Sequence, residues 1–62
     1  MCEAHAYLLR NGVEDKILES VDLVEFDGDQ VKLVNIFGEQ KILKARLSRY
    51  DGRQGKMLFQ AV

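Results

Sequence analysis

The chain has 62 residues, nine lysines and arginines against ten aspartates and glutamates, one cysteine, one histidine and no proline or tryptophan. The balanced charge and the scattered aromatic residues argue against a nucleic-acid-binding protein, which is usually basic and often stacks bases on aromatic side chains. A single cysteine excludes an intramolecular disulfide, yet a domain of this size buries only about 60% of its unfolded surface. We therefore expect a metal ion or a second subunit to supplement the core.

The compartment can also be predicted from the sequence. A lone thiol is more typical of a reducing environment than of secretion. No charged segment followed by an apolar one precedes Tyr7, and no apolar run approaches the roughly 18 residues of a membrane span. We expect a soluble, cytoplasmic protein that does not bind membranes.

Turn signals divide the chain into segments of strand length. Asn11-Gly12 lies between the apolar segments AHAYLLR and VEDKILESVDLVEF, and Asn-Gly in such a place is a strong hairpin signal. Further turns are expected at Asp27-Gly28-Asp29, around Gly38, and between Gly52 and Gly55. This regular spacing predicts one all-β domain over residues 1–62, built as a small barrel of five short antiparallel strands.

Alternation of apolar residues supports the strands. In QVKLVNIF, Val31 and Leu33 share one face while Val34 and Ile36 share the other, which predicts a strand covered on both faces. In QKILKARL, the alternation directs Lys44 and Arg46 outward, and in KMLFQAV apolar residues occupy both faces. An exposed edge made of that last segment would promote aggregation, and a β-rich dimer would remove the hazard.

The segment EDKILESVDLVEF is ambiguous. Ile17, Leu18, Val21 and Val24 stand near helical spacing, whereas the preceding Asn-Gly turn and the valines favour strands. We interpret the segment as two strand stretches joined by a bend near Ser20.

Two soft-metal ligands stand at the start of the chain, Cys2 and His5. A thiolate and an imidazole suit zinc, nickel and copper, but two ligands are too few for a closed site. A two-fold axis would double them, so that two Cys2 thiolates hold one metal, with backbone nitrogens or His5 completing the set. The alternative is a free or buried thiol beside a histidine that is simply packed or solvated.

Other charged residues give weaker signals. The second segment carries seven carboxylates whose alternation with apolar residues is typical of a solvated face: Glu14, Asp15, Glu19, Asp22, Glu25, Asp27 and Asp29. The C-terminal half carries a basic cluster that suggests an alternative function, a small-barrel RNA-binding module. Its residues are Lys41, Lys44, Arg46 and Arg49. No phosphate-binding loop or nucleophile motif is present, so we expect no enzymatic activity.

The stretches MCEAHAYLL and NIFGEQKILKARL together resemble the CooT family of small accessory proteins associated with carbon monoxide dehydrogenase. The resemblance implies a small Sm- or SH3-like barrel and a homodimer. It also implies nickel as the metal, bound by the cysteine at position two where the subunits meet. That role falls on Cys2, whereas His5 is not a fixed feature of the family. The function implied is a metallochaperone or nickel store that serves a nickel enzyme such as carbon monoxide dehydrogenase.

Overall fold

The structure is a computed structural model that describes residues 4–62. Its five strands follow one another along the chain and close into a barrel in that order. The strands are β1 (Ala4–Arg10), β2 (Val13–Asp27), β3 (Gln30–Asn35), β4 (Gln40–Asp51) and β5 (Lys56–Ala61). The predicted all-β fold and five-stranded barrel are confirmed. Within residues 4–62 there is no helix long and apolar enough to cross a membrane.

The closure of the barrel differs from the other pairings. Consecutive strands pair antiparallel, as predicted, but β1 and β5 pair parallel, from His5 opposite Lys56 to Leu9 opposite Gln60. An odd number of alternating strands makes the first and the last run in the same direction, so the pair that closes the ring has to be parallel. Since β5 is paired on both sides, its apolar residues do not form an exposed edge.

Two of the strands, β2 and β4, are long because each pairs with one neighbouring strand along its first part and with another along its second part. β2 pairs with β1 as far as Val21 and with β3 from Val21 onward, and β4 divides in the same way between β3 and β5. The change of partner in β2 coincides with Ser20, whose φ of 59° is left-handed. The bend predicted near Ser20 is confirmed, although both stretches belong to one continuous strand.

Irregular pairing explains the helix-like spacing in β2. Ala4 and Ala6 of β1 lie opposite Val21 and Leu18, so that the three residues 4–6 of β1 face the four residues 18–21 of β2. Such a bulge shifts the alternation by one residue. Leu18 and Val21 therefore both face the core although they are three residues apart.

The core lies inside the ring and is built from the inward faces of all five strands. Val31, Leu33, Phe59 and Ala6 are fully buried. The inward face predicted for β3 is confirmed, but its other face is only partly covered in the single chain. Val34 is half-buried, and Ile36, just beyond the strand, is 46% exposed. A single ring of strands has one core, so no further layer from residues 4–62 packs over its outer surface.

Candidate metal site

The chain enters the barrel at a junction of four segments around the start of β1. Val21 pairs with Ala4 on one side and with Asn35 on the other. The backbone N–H of Ile36 donates to the Ser20 carbonyl at 3.0 Å. We call this arrangement, with His5 and Gly55 included, the β1 junction. Cys2 lies outside the described residues.

His5 contacts two parts of the β1 junction at once. Its backbone N–H donates to the Gly55 carbonyl at 2.6 Å, in the turn before β5. Its side-chain Nδ1 accepts a hydrogen bond from the Ser20 backbone N–H at 3.2 Å. His5 is half-buried between these contacts. The residue predicted as a possible ligand therefore connects β1 to the bend of β2 and to the start of β5.

The hydrogen bond to Ser20 determines the state of the imidazole ring. A nitrogen that accepts from an N–H cannot carry a proton, so in the neutral ring the proton of His5 is on Nε2. Metals bind histidine through an unprotonated nitrogen lone pair. The Nδ1 lone pair is used by Ser20, and Nε2 carries a hydrogen. In this arrangement neither nitrogen is ready to bind a metal ion.

Asn35 organises the other side of the β1 junction. It is 2% exposed, and its Oδ1 accepts from the backbone N–H groups of Phe37 at 3.1 Å and Glu39 at 2.8 Å. Its Nδ2 donates to Glu39 Oε1 at 2.7 Å. These bonds fix the turn after β3 so that Ile36 and Phe37, 46% and 68% exposed, point away from the core. Asn35 stands in the stretch NIFGEQKILKARL, but this role was not predicted, although an asparagine shortly before a glycine is a signal for it.

The described residues alone do not form a metal site. Among residues 4–62, no three His, Cys, Asp or Glu side chains lie close enough together to hold an ion. The carboxylates of β2 are exposed, and some lie beside lysines, as Glu19 does with Lys16 at 3.6 Å and Glu25 with Lys32 at 3.9 Å. A metal site in this protein would have to draw on residues 1–3 or on a second subunit.

A shallow pocket of about 160 Å³ lies on the outer surface beside β5. Lys56 extends over the Tyr7 ring, 5.0 Å from its centre, and forms an ion pair with Glu14. Arg49 and Asp51 form a second pair at 3.8 Å. Because both charge signs are paired here, the pocket offers no net charge for a ligand. Its lining residues are Glu14, Arg49, Asp51, Gln54, Lys56 and Leu58.

The basic cluster of the RNA-binding alternative lies along β4, on both sides of its change of partner strand. All four side chains are exposed on β4, but β4 changes its partner strand between them. Lys41 and Lys44 lie opposite Leu33 and Gln30 of β3. Arg46 and Arg49 lie opposite Gln60 and Leu58 of β5. The four basic residues are therefore spread over two strand pairings, and the RNA-binding alternative stays a prediction.

Comparisons with known proteins agree with one another. The family model described as CO dehydrogenase accessory protein CooT matches residues 1–60. The crystal structure of a protein assigned as CooT from Carboxydothermus hydrogenoformans has a TM-score of 0.92 to this chain, with 31% sequence identity over 98% of each chain. No curated protein matches the chain. The match to the family model includes the first three residues, and with them Cys2.

Proposed function

Since the chain belongs to the CooT family of CO dehydrogenase accessory proteins, we propose that it binds nickel as a homodimer and stores or delivers the ion for CO dehydrogenase. The family description is that of an accessory protein, so the prediction that the chain is not an enzyme is confirmed. The observation that carries the nickel proposal is the family match over residues 1–60, which includes the only cysteine of the chain.

In this proposal the nickel ligands are the two Cys2 thiolates of a dimer. One chain supplies a single thiol, and residues 4–62 contain no group of three ligating side chains. Two thiolates and two nitrogens around one ion would suit the square-planar geometry that Ni(II) adopts with such ligands. A thiol must lose its proton to bind, so the affinity for nickel should fall as the pH is lowered. A reducing cytoplasm, where we place the protein, would keep the thiols free.

An apolar surface beside the β1 junction supports the dimer. Ile36 and Phe37 are exposed there, and Asn35 and Glu39 hold their turn in place. Ile36 is hydrogen-bonded to Ser20, which is bonded in turn to His5 at the start of β1. Burial of these side chains against a second copy would stabilise the dimer by about 25 cal/mol for each Å² removed from water. It would also bring the two β1 junctions, one from each subunit, towards each other.

The first experiment is a nickel titration of the wild type and of Cys2→Ser, followed by the charge-transfer absorption of the nickel–thiolate bond. We expect one ion per dimer in the wild type and loss of the absorption in Cys2→Ser. Alkylation of the thiol should have the same effect without a mutation. An unchanged affinity in Cys2→Ser would refute the site, whereas one ion per monomer would refute only its sharing between subunits.

The second experiment tests the surface by sedimentation of Phe37→Ser and Phe26→Ser. The two phenylalanines are exposed to similar extents, 68% and 58%. Phe26, however, lies five residues beyond Val21 along β2, about 17 Å from the β1 junction. We expect the Phe37→Ser dimer to dissociate into monomers at higher protein concentrations than the wild-type dimer does. The Phe26→Ser dimer should behave like the wild type. Equal effects of the two substitutions would place the interface elsewhere.

A further inference from the structure

The bend of β2 depends on a hydrogen bond from outside the strand. Ser20 has a φ of 59°, a conformation that side-chain-bearing residues rarely adopt. At this point its N–H leaves the regular strand pairing and needs another acceptor. His5 Nδ1 supplies that acceptor at 3.2 Å, while the Ser20 carbonyl accepts from Ile36. Both backbone groups of the strained residue are thereby satisfied.

We infer that His5 is a positioning residue for the proposed nickel site and not one of its ligands. The inference rests on the proposed function as far as nickel is concerned. The imidazole holds the bend of β2 through Ser20, and the backbone of the same residue holds the start of β1 to Gly55. Binding of a metal through the ring would require either the loss of the Ser20 bond or the removal of the last ring proton.

The hydrogen bond between His5 and Ser20 should affect nickel binding because His5 is close to Cys2 in the chain. His5 stands three residues after Cys2 and is the second residue of β1. A strand start that is already fixed has less conformational freedom to lose when nickel draws two thiolates together. Loss of the Ser20 bond should therefore weaken nickel binding although every ligand is still present.

Two amide substitutions separate positioning from ligation. In His5→Asn the side-chain oxygen takes the place of Nδ1 and can still accept from Ser20, but nothing takes the place of Nε2. In His5→Gln the polar group reaches the position of Nε2, and the acceptor beside Ser20 is lost. The two variants thus preserve opposite ends of the ring.

We expect His5→Asn to bind Ni(II) within about twofold of the wild-type affinity, with an unchanged charge-transfer spectrum. His5→Gln should lose about fivefold or more in nickel affinity, because the start of β1 is then less fixed and has more freedom to lose when the ion binds. Hydrogen exchange of the Ser20 amide should be faster in His5→Gln and unchanged in His5→Asn. If both folded variants lose nickel equally and their spectra change, the ring is a ligand and the inference is wrong.

The ring itself can be examined in the metal-free protein by nitrogen-15 NMR. We expect the proton on Nε2 and none on Nδ1, with a coupling across the hydrogen bond from the Ser20 amide. A proton on Nδ1 would overturn the inference without any nickel present. Failure of the proposed function would look different: a wild type that binds no Ni(II), or a Cys2→Ser variant that binds it normally, would remove the nickel part of the inference. In that case the ring measurement still tests the hydrogen bond.

Discussion

The Asn11-Gly12 turn and the β1 junction both redirect the chain, but by different physical means. Asn11 and Gly12 have φ values of 53° and 78°, the two positive angles that a tight hairpin turn requires. The angles are supplied by the two residues themselves. At the β1 junction, Ser20 adopts a similar φ of 59° with an ordinary side chain, and its N–H is held by His5, 15 residues away.

The backbone conformation is therefore set locally in the hairpin, by its own two residues, and by long-range contacts at the β1 junction. Asparagine and glycine tolerate the left-handed conformation, so the hairpin needs little support from the rest of the fold. Serine adopts the left-handed conformation less readily, so the conformation of Ser20 depends on its hydrogen bonds with His5 and Ile36. We expect substitutions that remove a contact of the β1 junction to cost more stability than substitutions in the hairpins.

The largest effect is expected for Asn35→Ala. The substitution leaves the N–H groups of Phe37 and Glu39 without their acceptor and removes the donor to the Glu39 carboxylate. The three hydrogen bonds are part-buried and each contributes about 1 kcal/mol, so we expect a loss of about 3 kcal/mol in the free energy of unfolding. Denaturant unfolding of both proteins measures the change.

The matched control is Asn35→Asp, which retains an oxygen that can accept from the N–H groups of both Phe37 and Glu39. It loses only the donor and places a second carboxylate near Glu39. Its cost should be smaller at low pH, where a protonated carboxyl can donate, than at neutral pH. A loss below about 1 kcal/mol in Asn35→Ala would mean that water replaces the side chain and that the β1 junction is not held by Asn35.

Intermediate losses in the free energy of unfolding are expected for alanine substitutions at the hairpin glycines. Gly12 and Gly28 have φ values of 78° and 61°, and a Cβ added at either would meet no atom within 4 Å. Alanine there should cost about 1 kcal/mol each, from backbone strain alone. Thermal unfolding would measure each loss as a lower melting temperature.

Gly52→Ala is the control for the two hairpin glycines. An added Cβ there would lie 3.6 Å from the Tyr50 ring, an ordinary contact, and Gly52 does not have a positive φ. Alanine should be neutral or slightly stabilising at Gly52, because it restricts the unfolded chain. Equal costs at all three glycines would contradict the argument from φ.

A smaller effect, of opposite sign, is expected for Ser20→Gly. Glycine adopts the φ of 59° without strain, although it also increases the freedom of the unfolded chain. We expect a net gain of about 0.5 kcal/mol in denaturant unfolding, and a smaller penalty for His5→Gln in this background. A loss of stability would show that the strain at Ser20 is already relieved.

The smallest effect is expected for Lys56→Met, which changes a side chain on the outer surface and leaves the backbone contacts of both regions in place. The side chains of Lys56 and Glu14 are 31% and 41% exposed, so their ion pair is screened by water. Its loss should cost a few tenths of a kcal/mol, roughly 0.5 at most, and less in high salt. A cost that does not change with salt would point to the packing of the lysine stem on Tyr7 instead.

Much of the fold could be predicted from local sequence. The turns at Gly12 and Gly28, the inward face of Val31 and Leu33, and the outward direction of Lys44 and Arg46 all follow from residue types and alternation. Cys2 was identified as a candidate ligand in the same way, from the chemistry of its thiol, and its role remains a prediction. These features depend on neighbouring residues in the chain, which a sequence displays directly.

Tertiary structure alone decided the rest. The parallel pairing of β1 with β5 follows from closing a ring of five strands, and the irregular spacing of Leu18 and Val21 follows from the bulge that lets β2 change partners. The structural roles of the His5 ring nitrogen and of the Asn35 amide follow from their hydrogen bonds with Ser20 and Glu39, respectively. Alternation and composition describe each segment by itself, whereas these contacts exist only once the segments have met.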